Sequence, residues 1–97
     1  MPSAIDRLVE QIESTEQELS GRLGDPTLVD DRREFADVSR RYASMEAAFA
    51  LARRWRDASG RAEEARELLT EGDDLDVAEL LREAEAELDE LAPALRE

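Results

Sequence analysis

Apolar side chains return every three or four positions in three stretches of the chain, separated by short connections rich in Gly, Pro and Asp. A helix turning 100° per residue gathers such positions onto one side. The first stretch carries Ile5, Leu8, Val9, Ile12, Leu19 and Leu23, interrupted by polar residues near 15 and 16. Ser3 stands where an N-cap belongs. Its hydroxyl can accept a bond from the amide of Asp6, whose carboxylate also suits the positive end of the helix dipole. Gly24 ends the stretch. Asp25 followed by Pro26 then reads as a cap with proline at the first helical position of a single turn over 26–29.

A second helix starts at once. Asp31 with Glu34 three residues later is the aspartate form of a capping box, and no helix breaker follows until Gly72. This long segment holds two apolar seams. Phe35, Val38, Tyr42, Met45, Phe49 and Ala52 form one; Ala48, Leu51, Trp55, Ala58, Ala62, Ala65 and Leu69 form the other, displaced by roughly 100° around the axis. Two seams need two partners, so the first is expected on helix one and the second on helix three, with residues 45–55 buried on both sides. A kink near Ser44 is the rival reading, because a new helix would also reset the phase.

Gly72 suits a helix end, and Asp76 with Glu79 offers another capping box, with Leu75 and Leu80 placed to close a hydrophobic staple. The third seam is Val77, Leu81, Ala84, Leu88, Leu91 and Leu95, in alternating steps of four and three. Pro93 removes a backbone donor from the last turn. The pattern predicts an all-α fold: an elongated three-helix antiparallel bundle with coiled-coil-like packing, helices over about 3–23, 31–71 and 76–96, and residues 1–97 as one helical domain.

Composition narrows the function. The 97 residues include 26 acidic and 13 basic side chains but no His and no Cys, and every basic residue is Arg. Without imidazole or thiol there is no ready general base, thiol nucleophile, disulfide or zinc site, so no catalytic, metal or cofactor residue is assigned. The first 20 residues hold Asp6, Arg7, Glu10, Glu13, Glu16 and Glu18, unlike a secretory signal, and no run of 18 uncharged apolar residues occurs. A cytoplasmic protein with neither a membrane nor a small-molecule substrate as partner is expected.

The formal net charge of -13 repels phosphate, but it is unevenly spread. Residues 1–23 have two basic against five acidic side chains, 24–60 seven against seven, and 61–97 four against fourteen. Every Arg pair lies in the neutral middle. Arg32, Arg33 and Arg40 cluster opposite the Phe35/Tyr42/Phe49 seam, with Arg54 on the flank, and form a candidate stripe for phosphate or RNA. The competing reading is a solvated face paired with Asp37, Glu34 and Asp57. Asp73, Asp74 and Asp76 lack the ligand register of a calcium loop and fit helix capping. The Glu63/Glu64/Glu67 and Glu83/Glu85/Glu87 clusters read as surface. Trp55 and Phe49 lie on seams and read as core, not as an exposed hot spot.

The run Leu23-Gly24-Asp25-Pro26, the Asp31/Glu34/Phe35 start, and Ser39-Arg40-Arg41-Tyr42-Ala43 followed by Met45-Glu46 resemble the N-terminal helical domain of bacterial class I peptide chain release factors, the factor-one branch more than the factor-two branch. Relative to that family, Val38 replaces the usual Leu, Arg41 a common Glu, and Ala47 a frequent Pro, the last easing a continuous helix. The family's peptidyl-tRNA hydrolysis depends on a Gly-Gly-Gln loop, and this chain contains no Gly-Gly pair. The resemblance therefore implies a non-catalytic first domain of a longer chain, acting in translation termination. Its implied partners are the ribosome, through rRNA and stalk-base proteins, and the GTPase-type release factor. Arg32, Arg33, Arg40 and Arg54 become the candidate rRNA contact. The alternative is a stand-alone acidic helical adaptor that binds a partner helix or forms a homodimer.

Overall fold

The computed structural model describes residues 3–97. It contains three helices, α1 (Ala4–Leu23), α2 (Arg32–Glu71) and α3 (Leu75–Arg96), with a 3-10 turn at Leu28–Asp30 ahead of α2. Among the described residues there is no strand, so the all-α class read from the seams is the class observed. The chain divides into two compact units, Met1–Ala50 and Leu51–Glu97, and α2 contributes residues to both.

In the first unit the start of α1 is held by a complete capping box. The Asp6 amide donates to Ser3 Oγ at 3.1 Å, and the Ser3 amide donates to the Asp6 carboxylate at 3.1 Å. Two of the orphan donors of the first turn are thereby satisfied. Ile5, Val9, Ile12 and Leu19 are buried, and Leu8 and Leu23 half-buried, as their spacing requires. The helix closes with the Gly24 amide donating to the Ser20 carbonyl at 3.0 Å. Gly24 keeps a right-handed φ of -84°, so this end uses no left-handed residue.

The connection is built on Asp25. Its carboxylate accepts from the Thr27 amide at 2.9 Å and the Thr27 hydroxyl at 2.8 Å, which together hold the Asp25 carboxyl below its ordinary pKa. The Leu28 amide donates to the Asp25 carbonyl, and the regular turn falls at Leu28–Asp30 instead of 26–29. Leu28 is buried. At the start of α2 only half of the expected capping box forms. Asp31 accepts from the Glu34 amide at 3.1 Å, but its own amide is already taken by the Leu28 carbonyl at 3.0 Å. The Glu34 carboxylate instead pairs with Arg22 of α1.

Within this unit α2 buries Val38 and Phe49 and half-buries Tyr42 and Met45. The Tyr42 and Phe49 rings sit 5.2 Å apart, tilted at 57°, in the range that aromatic pairs favour. Helix runs through Ser44 without a break, and the Ser44 hydroxyl donates back to the Arg41 carbonyl at 2.8 Å. Residues 45–55 are not buried on both sides. Glu46, Ala47, Ala50, Arg53 and Arg54 are exposed, and burial falls on the seam positions Phe49, Ala52 and Trp55.

The second unit pairs the rest of α2 with α3. Its buried residues on α2 are Ala52, Trp55, Ala58, Ala62 and Ala65; on α3 they are Ala84, Leu91 and Leu95. Alanine at buried seam positions lets helix backbones approach closely, and the ion pairs show the direction. Arg54 and Arg61 reach Glu87 at 3.6 and 2.5 Å, while Arg66, further along α2, reaches back to Glu85 at 3.6 Å. The two segments therefore run antiparallel.

The start of α3 corrects the sequence reading. Asp74, not Asp76, is the N-cap; its carboxylate accepts from the Asp76 amide at 2.9 Å and the Val77 amide at 3.4 Å. Leu75 then becomes the first helical residue and is 87% exposed, and Leu80 is 59% exposed, so the staple does not form. Gly72 has no positive φ, so α2 also ends without a left-handed cap. Pro93 forfeits the bond its amide would give to the Asp89 carbonyl, yet α3 continues to Arg96. Leu91 and Leu95, buried on either side of Pro93, hold that turn in place.

Candidate functional site

The arginine stripe begins in the first turn of α2. Arg32 and Arg33 are exposed, and among the described residues neither has a carboxylate partner. Positive side chains in a first turn oppose the helix dipole, at a cost of about 0.3–1 kcal/mol each. The usual remedy, a nearby acid, is spent elsewhere: Asp31 caps the helix and Glu34 pairs with Arg22. Arg40, one heptad beyond Arg33, pairs with Asp37 on its own helix, with 72% of its side chain still exposed.

Of the carboxylates expected to neutralise this face, only Asp37 does so. Glu34 is drawn to α1, and Asp57 pairs with Arg61 at 3.2 Å in the second unit. The first unit thus presents Arg32, Arg33 and Arg40 outward with little internal compensation. Arg54 belongs to the second unit, where it reaches Glu87 and shares that carboxylate with Arg61. Arg41 was missed by the angular grouping. It is exposed, has no partner among the described residues, and lies next to Arg40 on the flank of the same face. The adjacent pair in the sequence was the available signal.

Glu87 receives both Arg54 and Arg61; the hydrogen bond from Arg61, with the charges of both arginines behind it, holds the Glu87 carboxyl below its ordinary pKa against desolvation. Trp55 and Phe49 are buried at 9% and 1% exposure, which removes both as a binding hot spot. Among the described residues no three acidic side chains converge as a metal site would require, and no helix is long and apolar enough to cross a membrane.

The described residues form an all-helical chain whose candidate chemistry sits on exposed charged faces. The PCRF domain family model matches residues 12–97, and the chain belongs to that family. It is similar to Peptide chain release factor 1 of Bacillus licheniformis, with 31% identity over 86 residues, covering 89% of this chain and 24% of that protein. The chain therefore spans about a quarter of the length of that curated relative. No solved structure matches it. The resemblance read in the residues around Asp25-Pro26 and Ser39–Met45, including the factor-one branch, is the relationship found.

Proposed function

We propose that this chain acts in translation termination in the cytoplasm as the ribosome-docking helical domain of a bacterial peptide chain release factor, without catalytic chemistry of its own. Membership of the PCRF family and the likeness to a release factor support the process. Arg32 and Arg33 support the contact: they stand unpaired at the dipole end that disfavours them, as residues kept for an external anion would. In this reading Arg32, Arg33 and Arg40 meet rRNA phosphate. Arg54 lends a weaker contact because Glu87 already competes for it. Stalk-base proteins and the GTPase-type release factor are the further partners.

The test is ribosome binding by the 97-residue chain carrying Arg33→Glu and Arg40→Glu, with Arg7→Glu on α1 as a charge-reversal control outside the stripe. The double variant should bind more weakly, and each lost phosphate contact should flatten the dependence of log affinity on log salt by about 0.7 to 0.9. Arg7→Glu should change neither. Affinity and salt slope equal to those of the unaltered chain would remove the stripe as a contact.

A further inference from the structure

The second unit leaves leucine in water at the end where α2 passes into α3. Leu68 is 48% exposed, Leu80 59% and Leu75 87%. Leu68 and Leu80, with Val77, Ala65 and the stems of Arg61 and Glu64, line an open groove of about 210 Å³. That is smaller than the roughly 300–1,000 Å³ of sites built for small molecules, and it suits a few protruding side chains. Large aliphatic residues clustered at such a groove mark an interaction surface more often than chance exposure does.

The surroundings say what kind of partner fits. Between residues 61 and 83 there are nine acidic and three basic side chains. All three arginines are engaged, Arg61 with Glu87 and Asp57, Arg66 with Glu85, and Arg82 with Glu79. Glu64 lines the groove, and it, Glu67, Glu71 and Glu83 have no arginine partner among the described residues, so the rim of the groove is negative. That sign repels nucleic acid and anionic lipid, and it repels a second copy, whose own groove carries the same rim.

We propose that this face docks a basic amphipathic helix of a partner protein, with its apolar stripe seated on Leu68, Val77 and Leu80 and its Lys and Arg side chains against Glu64 and Glu67. The mode is helix-in-groove recognition, with apolar anchors one turn apart supplying affinity and the charged rim supplying orientation and speed of encounter. It does not rest on the arginine stripe. Loss of ribosome binding on reversing Arg33 and Arg40, or its absence, leaves this surface unchanged.

The probe is a fluorescein-labelled 18-residue designed helix with leucines at three-four spacing and Lys and Arg elsewhere. Two counterparts accompany it, one with the leucines replaced by Gln and one with the basic residues replaced by Glu. Anisotropy titration of the 97-residue chain at about 0.15 M salt, with Debye length near 8 Å, should show binding of the first, at least tenfold tighter than either counterpart. Leu68→Ser with Leu80→Ser should weaken it at least tenfold while leaving the far-UV circular dichroism unchanged. If that pair disturbs folding, Glu64→Lys with Glu67→Lys, both exposed, should produce the same loss. Amide shifts on binding should centre on Ala65, Leu68 and Val77. Equal binding of the Gln peptide, shifts centred elsewhere, or indifference to the variants would overturn the proposal. So would a concentration-dependent dimer in sedimentation that Leu80→Ser abolishes, since that assigns the face to a second copy.

Discussion

Replacing Ala62 by Leu tests the seam of buried alanines in the second unit. Ala58, Ala62 and Ala84 are fully buried at 0% exposure, and Ala52 and Ala65 at 2% and 4%, so the second unit has a seam of methyl groups where larger side chains would hold the helices apart. Leucine at 62 adds three carbons at a point with no exposed surface and no place among the residues lining the nearby groove. Helix propensity barely changes between Ala and Leu, so packing decides the sign. Overpacking of this kind costs about 1–3 kcal/mol. For a domain of this size each kcal/mol moves the Tm by about 4–8 °C, so a fall of roughly 5–20 °C is expected. The same substitution at Ala86, exposed on α3, should stay within about 0.5 kcal/mol of the parent. Urea and thermal unfolding followed by the fluorescence of Trp55, the single tryptophan and a buried member of the same unit, reads both variants. If Ala62→Leu is as stable as Ala86→Leu, the seam is not closely packed and the account of this unit fails.

Gly60 lies within α2 with nothing inside 4 Å of the Cβ position, so Gly60→Ala should raise stability by about 1 kcal/mol through helix propensity, read as a higher urea midpoint. A decrease would mean the position faces a neighbour. Asp74→Ala should cost about 0.5–2 kcal/mol, because two amides of the first turn of α3 lose their acceptor; Asp76→Ala should cost less, and the reverse order would restore Asp76 as the cap. Glu87 is lowered in the folded state from an ordinary pKa near 4.5, so its ionised form stabilises the fold above that pH and the contribution is lost as pH falls through the lower folded value. Glu87→Gln should therefore be less stable than the parent at neutral pH, and the two acid-unfolding curves should converge below pH 4.5. Parallel curves across that window would show that Arg61 and Arg54 do not act on this carboxylate.

The arginine stripe was legible as a set of positions and not as an electrostatic state. Angular arithmetic placed Arg33 and Arg40 together because seven residues make nearly two turns of helix. The same reading offered Glu34, with Asp37 and Asp57, as neutralisers carried on the same helix. Glu34 pairs instead with Arg22, twelve residues earlier, because α1 brings that guanidinium to the start of α2. Arg54 was grouped with the stripe by the same arithmetic, and its pairing with Glu87 lies 33 positions away, beyond any local rule.

Helix content and the inward seams were determined by the sequence alone: Ile5, Val9 and Ile12 on α1 and Ala84, Leu91 and Leu95 on α3 are buried because backbone geometry repeats every 3.6 residues wherever the chain is helical. Caps were nearly as readable, but not uniquely so. Asp73, Asp74 and Asp76 are chemically equivalent candidates, and a shift of two residues costs little locally, so the choice of Asp74 and the exposure of Leu75 and Leu80 came from how α3 sits against α2. Tertiary structure alone decided which charges remain uncompensated. A guanidinium ends several bonds from its backbone and takes whichever carboxylate a neighbouring helix carries within reach, and periodicity along one strand of sequence holds no record of that neighbour.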